Sequence, residues 1–405
     1  MNKKGISKEE LFAELGSFSN ADTDFKKVFS SMCTIPHPIA IEAQNLFSHT
    51  NVGDPGLFLG TKEMEDEIIQ MSASLLNHPN PPRAFGHLTS GGTESNIEAV
   101  WHMKNRFLDR ISDSKLNLIL PKTAHFSFEK IANLLNIDLK KAETDSNFRI
   151  IPESVSSLMD KNTIGLIGVA GNTEFGVCDP IEKLSEIAVS NNLPLHIDAA
   201  FGGFVYPFLE SPTRFAFDFS GVSSVSIDPH KMGLSVIPSG ILVFKDKTVI
   251  EASLNKIQVK THYLTSKYQS TLTGTRSGAS VAATYAVMKY LGREGYQKNV
   301  AYCMDLTNHF QNELAKIGLK SYISPKINIV TVSVCKETKA GATPNDDYEK
   351  TERIRKELLE KYGWNVSATK TIPALRFVLM PHVTKEDIGA LVSDLKKILD
   401  FEEEK

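Results

Sequence analysis

Several short polar stretches of this 405-residue chain carry residue types that could do chemistry. Ser226-Ile-Asp-Pro-His-Lys-Met-Gly233 follows a β-prone run, Val222 to Ile227, and presents His230 and Lys231 at a proline-initiated turn where side chains are displayed. A lysine there is either a solvated surface charge or, once desolvated, a nucleophile that condenses with a carbonyl. If Lys231 forms a Schiff base with an aldehyde cofactor anchored by a phosphate, four further parts are needed. An anion must face the pyridine nitrogen, because a protonated ring is the better electron sink, and Asp198 closes the apolar run Pro194 to Ile197. A flat group must lie against the ring, for which His125 would serve. A phosphate needs a cup, and Ser90-Gly-Gly-Thr-Glu-Ser-Asn96 runs into a helical segment whose free N–H groups and dipole suit an oxyanion. Small residues must let the ring approach, and Ala199, Ala200, Gly202 and Gly203 follow Asp198 directly. Each has an ordinary alternative: a strand-end cap for Asp198, a core histidine for His125, turn formers for the glycines, a plain helix cap for Ser90 to Ser95. One site accounts for all of them together.

These residues need a scaffold that gathers them. Apolar runs at Leu118–Leu120, Thr163–Ala170, Pro194–Ile197 and Val222–Ile227 alternate with helix-like segments and end in polar residues. That pattern describes an α/β fold with a mostly parallel central sheet and helices on both faces, in which ligands collect beyond the strand C-termini. His125, Thr173, Asp198 and Lys231 all fall at such ends. Ser7 and Glu10 are spaced as a capping box for an N-terminal helix. Two prolines straddle His37, which is either a loop residue or one at a pocket mouth. Residues Lys245 to Thr271 are polar and weakly patterned, which predicts a mobile loop bearing Tyr263 and Tyr268. Helices are expected over Val281–Leu291 and Val300–Ile317, and strands over Ile327–Val334 and Leu375–Met380, with a polar loop at Gly341–Asp347. The division expected is 1–55 as an N-terminal helical segment, 56–290 as a large domain carrying the motifs, and 291–405 as a small C-terminal α+β domain.

Composition excludes some partners. A net charge of -3, without a basic tract, gives no footprint for nucleic acid. No run of roughly 18 apolar residues suggests a membrane span, and Met1 to Leu15 lacks the apolar core of a signal peptide. Cys33, Cys178, Cys303 and Cys335 form no metal-type pair and read as reduced thiols in a cytoplasmic protein. The eleven histidines show no His-x-x-x-His pattern, so no metal is expected.

The motifs Asp198-Ala199-Ala200, His230-Lys231 and Ser90 to Asn96 resemble the pyridoxal-phosphate-dependent group II decarboxylases of fold type I. Gly53-Asp-Pro-Gly-Leu-Phe58, Ala124-His-Phe-Ser-Phe128, His196-Ile-Asp-Ala-Ala-Phe-Gly-Gly-Phe204, Thr273-Gly-Thr-Arg-Ser-Gly278 and Arg376-Phe-Val-Leu-Met-Pro-His-Val-Thr384 are similar to the archaeal tyrosine/aspartate decarboxylase subgroup, over essentially the whole chain. The resemblance implies that 56–290 binds pyridoxal 5'-phosphate. Lys231 would hold it, His230 would assist, Asp198 and Ala200 would face the ring, and His125 would stack on it. Ser90, Gly91, Gly92 and Thr93 would bind the phosphate. The family's Gly-Thr-Thr reads Gly171-Asn172-Thr173 here, a departure at the first threonine. The resemblance further implies a homodimer with its active sites at the interface, so that Thr273, Gly274 and the loop bearing Tyr263 reach the neighbouring site. Tyr263, with Tyr268 as rival, would protonate the substrate α-carbon after CO2 leaves.

The reaction implied is α-decarboxylation of an L-amino acid. L-Aspartate would give β-alanine, a coenzyme A precursor, and L-tyrosine would give tyramine. Arg83, His37 and Arg276 are possible side-chain anchors, and the lean is towards an acidic substrate. Arg376 either orients a carboxylate or is structural; because that carboxylate must be expelled, tight ground-state binding would not help. The alternatives are a carbon–carbon lyase of the sphingosine-phosphate-lyase type, an aminotransferase, and a protein that binds pyridoxal phosphate without turnover.

Overall fold

The apolar runs and amphipathic stretches sort into two layered lobes in the computed structural model, which describes residues 1, 3–108, 115–334 and 344–403. Cys335 and residues 341–343 of the expected polar loop lie outside the described residues. The chain opens with α1 (Lys8–Ala21), α2 (Pro38–Leu46) and α3 (Leu59–Leu75). The large lobe continues through β1 (Phe85–Thr89), α4 (Gly92–Phe107), β2 (Asn117–Pro121), α5 (Ser127–Leu135), β3 (Asp138–Ala142) and α6 (Pro152–Leu158). It then adds β4 (Thr163–Val169), α7 (Ile181–Ser190), β5 (Leu195–Asp198), β6 (Val222–Ile227), β7 (Gly240–Phe244), α8 (Lys247–Ile257), β8 (Val259–Lys260) and β9 (Tyr268–Gln269). Helix α9 (Gly278–Lys316) leads to β10 (Ile329–Val332), α10 (Pro344–Tyr362), β11 (Ser367–Ala368), β12 (Leu375–Val378) and α11 (Lys385–Glu403).

The seven-stranded sheet has the order β1-β7-β6-β5-β4-β2-β3. Strands β2 to β6 pair in parallel and only β7 runs against its neighbours. Strands β2, β4 and β5 are buried along their whole length, as helices on both faces require, which explains their unbroken apolar runs. Because β1, β2, β4, β5 and β6 point the same way, the segments after them meet along one edge of the sheet. That edge receives Ser90, His125, Thr173, Asp198 and Lys231.

Three sequence expectations need correction. Residues 245–271 are not one loop: Asp246 accepts hydrogen bonds from the N–H groups of Thr248 and Val249, caps α8, and Ile250, Ser253 and Ile257 give that helix a buried face. The helices expected at 281–291 and 300–317 are one path, α9, interrupted only at Gly292, whose φ of 54° no β-carbon-bearing residue favours. Strand β3 and helix α6 were not expected; β3 is a lysine-bearing edge strand, with little apolar alternation to announce it.

The small lobe has its own core, in which Phe310, Val330, Ile354, Phe377 and Leu391 pack together with Phe29 from the N-terminal segment. Phe29 is held there by backbone bonds from its N–H to Asn365 and from Val378 N–H to its carbonyl. Helix α1 behaves differently. Its capping box is present, yet it has no buried residue and leaves Leu11, Phe12, Leu15 and Phe18 exposed.

Asp179 ties the large lobe together just beside the sheet edge. It is buried, and its two carboxylate oxygens accept the N–H groups of Ile150 and Val169, each at 2.8 Å. Replacing it with Asn turns an amine towards one of those buried donors. We expect Asp179→Asn to cost about 2 kcal/mol, read as a lowered melting temperature.

Candidate active site

A cavity of about 330 Å3 opens at the carboxyl edge of the sheet. Five connections wall it, from β1, β2, β4, β5 and β6, and they contribute Ser90 to Thr93, His125, Thr173, Asp198 with Ala200, and His230 with Lys231. These are the residues that the sequence pattern singled out, brought together from positions spread over 140 residues of chain.

Asp198 ends β5 and is buried. One of its oxygens accepts the Ala200 N–H at 3.1 Å and the other accepts the Asn96 side-chain amide at 2.8 Å. Asn96 is itself fixed from behind, its carbonyl oxygen receiving the Ser226 hydroxyl at 3.0 Å and lying 2.9 Å from His196 Nε2. The His196 ring meets Ser224 on its other side, at 2.9 Å. A carboxylate held this way presents a fixed negative charge to the cavity, which is what a protonated ring nitrogen requires.

Lys231 Nζ lies 3.1 Å from Asp228 Oδ2, with the lysine side chain 19% exposed. Burial works against its charge, but the carboxylates of Asp228 and Asp198 outweigh it and raise its pKa, so the free amine is an ammonium at neutral pH. The second Asp228 oxygen is buried without a hydrogen-bond partner beside the cavity wall. His230 and His125 are both lowered by burial and are therefore neutral. In each, Nδ1 accepts a backbone N–H, from Ser239 and Ser127 respectively, both at 3.2 Å, which places the ring proton on Nε2. His230 Nε2 thus points towards Asp228, 3.6 Å away.

Helix α4 begins at Gly92 with no side-chain cap, which leaves its first N–H groups for a ligand. Both glycines there are required by space: a β-carbon on Gly91 would sit 2.9 Å from the His230 ring, and one on Gly92 would sit 3.0 Å from Asp228. The donor set, the uncapped helix, the glycine cradle and the unpartnered Asp228 oxygen fit pyridoxal 5'-phosphate: Lys231 to hold its aldehyde carbon, Asp198 to face its nitrogen, and the α4 N-terminus with Ser90 and Thr93 to take its phosphate.

Sequence reasoning gave no role to Asn96, Asp228, Thr123, Phe201 and Met32, which also line the cavity. For Asn96 a signal existed, since it lies one helical turn beyond Gly92 and so shares the face turned to the site. Asn172, the departure from the family pattern, lines the cavity and caps its own turn, its Oδ1 accepting the Phe175 N–H at 2.9 Å.

Eight expected residues lie away from this protomer's cavity, Arg83 on the turn before β1 and Tyr268 on β9 among them. His37 caps α2 through Ile39 N–H and packs near Tyr290, centroids 5.2 Å apart. Arg276 is not a free anchor: its guanidinium is paired with buried Glu65 and donates to the carbonyls of Leu88 and Val52. Arg376 is buried and spends its amino groups on the carbonyls of Thr173 and Ser30, bracing two segments that flank the site rather than reaching a ligand. Thr273 donates to Glu94 at 2.6 Å, and Gly274 accepts from Gln269. Tyr263 is 87% exposed, on the turn between β8 and β9.

Comparison with known proteins bears on this geometry. Residues 60–336 match the pyridoxal-dependent decarboxylase conserved domain. The chain is 51% identical to a probable L-tyrosine/L-aspartate decarboxylase of Methanosarcina acetivorans, over 98% of this chain and 99% of that one. It is 40% identical to a probable L-aspartate decarboxylase of Archaeoglobus fulgidus, over 96% and 99%. Among solved structures, Lactobacillus brevis glutamate decarboxylase superposes with a TM-score of 0.86 at 20% identity, covering 99% of this chain and 94% of that one, a likeness of fold.

The raised pKa of Lys231 has a measurable consequence. Capture of pyridoxal phosphate by the cofactor-free protein should speed up as pH rises, because only the neutral amine attacks an aldehyde. Asp228→Asn removes the carboxylate that does most to hold the proton, so its rate–pH profile should move to lower pH, as followed by the absorbance of the bound cofactor.

Proposed function

From the premise that this chain belongs to the pyridoxal-dependent decarboxylase family, and is a pyridoxal-phosphate-dependent carboxy-lyase acting on an L-amino acid, we propose that the cavity between Lys231 and Asp198 is its active site and that L-aspartate is the preferred substrate, ahead of L-tyrosine. The observation that carries the assignment is the convergence of Lys231, Asp198, His125 and the α4 N-terminus on one cavity. When bound, pyridoxal phosphate supplies the electron sink for the carbanion that CO2 leaves behind. The protein's residues do the rest. Asp228 takes the proton that Lys231 must lose, Asp198 keeps the ring nitrogen charged, and neutral His125 offers a flat face without adding a competing cation. Thr123 and Thr173 give the cavity the hydroxyls that a short, acidic side chain can use. The names of the archaeal relatives, both of which include aspartate, support this order.

The working form in this reading is a homodimer in the cytoplasm. Tyr263 and Thr273 belong to a segment that does not line the cavity of their own protomer, and a second copy gives them a site to serve. Leu11, Phe12, Leu15 and Phe18 form an apolar stripe on α1 that none of the described residues buries, the kind of surface that a partner covers. Tyr263, delivered by the partner subunit, is then the donor that returns a proton to the α-carbon. Among the described residues no helix is long and apolar enough to cross a membrane.

Incubation with L-aspartate, L-tyrosine and L-glutamate, with CO2 and amine measured separately, tests the reading. Aspartate should release CO2 and β-alanine in equal amounts and with the highest kcat/KM. Absence of CO2 from all three, with cofactor bound, would contradict it. Lys231→Ala should reduce turnover by a factor on the order of a thousand or more and abolish the absorbance of lysine-bound cofactor.

A further inference from the structure

Helix α4 carries a second set of polar side chains that the active site does not use. Glu94, Glu98 and His102 recur every four residues, so they line one face of the helix, and all three are buried. Each grips the excursion that runs from α8 to the start of α9. Glu94 accepts the Thr273 hydroxyl at 2.6 Å and, through its other oxygen, the Ser90 N–H at 2.7 Å. Glu98 accepts the Leu272 N–H at 2.9 Å, and its other oxygen lies 2.9 Å from His87 Nε2 without the alignment of a hydrogen bond. His102 Nδ1 lies 2.6 Å from the Ser253 hydroxyl on α8. One turn further on, Lys256 donates to the Asn105 carbonyl at 3.0 Å.

Burial opposes the charge on Glu98, yet His87 and the Leu272 N–H hold its pKa below the usual carboxylate range, so the group is ionised. Burial pushes His102 down to about 4, so that ring is neutral. A buried polar strip of this kind adds little net stability over apolar packing, because desolvation consumes most of the attraction. What it does add is register. An apolar face would let the excursion slide along α4, whereas these contacts are satisfied at one setting only.

The excursion ends in the β8/β9 hairpin, with Tyr263 on its turn. Thr261 N–H bonds to the Lys267 carbonyl at 3.0 Å near the tip, and Gln269 bonds to Gly274 at the base. The hairpin is thus held at two places: near its tip Thr265 donates its N–H to Asp54 at 3.0 Å and accepts the Gly56 N–H at 2.8 Å, and at its base the Leu272–Thr273 grip fixes the strand ends from which the Tyr263 turn projects. We infer that Glu98, with Glu94 beside it, is a positioning residue that clamps the 258–277 segment to the helix whose N-terminus takes the phosphate, and so aims Tyr263 at the partner's site. The inference rests on the shared-site homodimer proposed above. It also means that the cup of one site and the proton donor of the other are mounted on one helix.

Purified holoenzyme variants test it. Glu98→Ala should lower kcat roughly 10- to 100-fold with KM and the bound-cofactor absorbance little changed, since misaiming a group by about 1 Å is enough for such a loss. Glu98→Gln keeps an oxygen for Leu272 N–H and should recover most of the rate. Leu272→Pro removes the donor from the loop side, leaves the core carboxylate intact, and should reproduce the Ala defect even if Glu98→Ala fails to fold. Trypsin should cut the hairpin at Lys260 and Lys267 faster in Glu98→Ala and Leu272→Pro than in the parent or in Glu98→Gln.

Mixed dimers separate the clamp from the reading beneath it. Pairing Lys231→Ala chains with Tyr263→Phe chains leaves one site with an intact lysine and a hairpin from the Lys231→Ala chain, so random re-pairing should restore roughly a quarter of parental activity. Pairing Lys231→Ala with Glu98→Ala, or with Leu272→Pro, should do the same, because the intact clamp then comes from the chain that supplies the hairpin. Recovery with Tyr263→Phe but not with the clamp variants would overturn the inference, placing the effect of Glu98 in its own cup. If no pair recovers, the shared-site reading fails, and the clamp is then decided by cleavage alone: hairpin cutting unchanged by Glu98→Ala and Leu272→Pro would overturn it.

Discussion

A single buried amide holds this site in order. Asn96 reaches from α4 to Asp198 on β5 while its oxygen receives Ser226 on β6 and meets His196, so one side chain fixes the helix against two strands. Its cost in desolvation is met because both its oxygen and its nitrogen find partners; a half-satisfied amide in the same place would be worse than a leucine. Were Asn96 lost, Asp198 would keep only its backbone contact on one side, and the uncapped start of α4 would no longer be referenced to the carboxylate across the cavity. The spacing between the start of α4 and the Asp198 carboxylate is braced by this contact.

Charge within the cavity is arranged by the same economy. Two carboxylates flank one lysine, and the two histidines nearby are neutral with their protons on Nε2. A free lysine in that setting is stabilised as an ammonium, with a carboxylate oxygen of Asp228 3.1 Å away to accept its proton. In the proposed reading neither histidine would serve as a cation, because an imidazolium would compete with Lys231 for Asp228 and add positive charge beside Asp198. Burial of both rings is thus a condition of the chemistry as well as of packing.

Much of this was legible in the sequence because strand ends and motif residues coincide. Thr89, Val169, Asp198 and Ile227 close buried strands, and in a parallel sheet everything after such strands meets at one edge. Local sequence was a poorer guide where tertiary contact decides. Asp228 carried no role in the sequence, and only its position 3.1 Å from Lys231 shows it to be the lysine's counter-ion. Arg276 looked like an anchor for a substrate; its partner Glu65 lies more than two hundred residues earlier, a distance no spacing rule spans. Helix α8 was read as loop because its composition is polar, although Asp246 before it and its apolar positions at Ile250 and Ile257 were signals enough. The exposure of Tyr263 is likewise a property of the folded protomer, since no pattern in 258–277 announces that the segment stays out of the cavity lining.

The path of α9 has a mechanical implication. Tyr296 lies along it, buried, with its hydroxyl donating to the Gly233 carbonyl at 2.9 Å, two residues after Lys231. Further along, Leu306, Phe310 and Leu314 are rooted in the small-lobe core. One rigid rod thus joins the lysine's turn to the C-terminal lobe, while its first part is fastened to the large lobe through Ala283 and Val287. The two parts meet at Gly292, where the helical path is broken and no atom crowds the α-carbon. Tyr296 lies on the small-lobe side of that joint. Beyond the joint, Tyr296, Val300 and Cys303 are still buried in the core of the large lobe before α9 enters the small one, so a displacement of the small lobe is transmitted to the lysine's turn and to the sheet beneath it as one body.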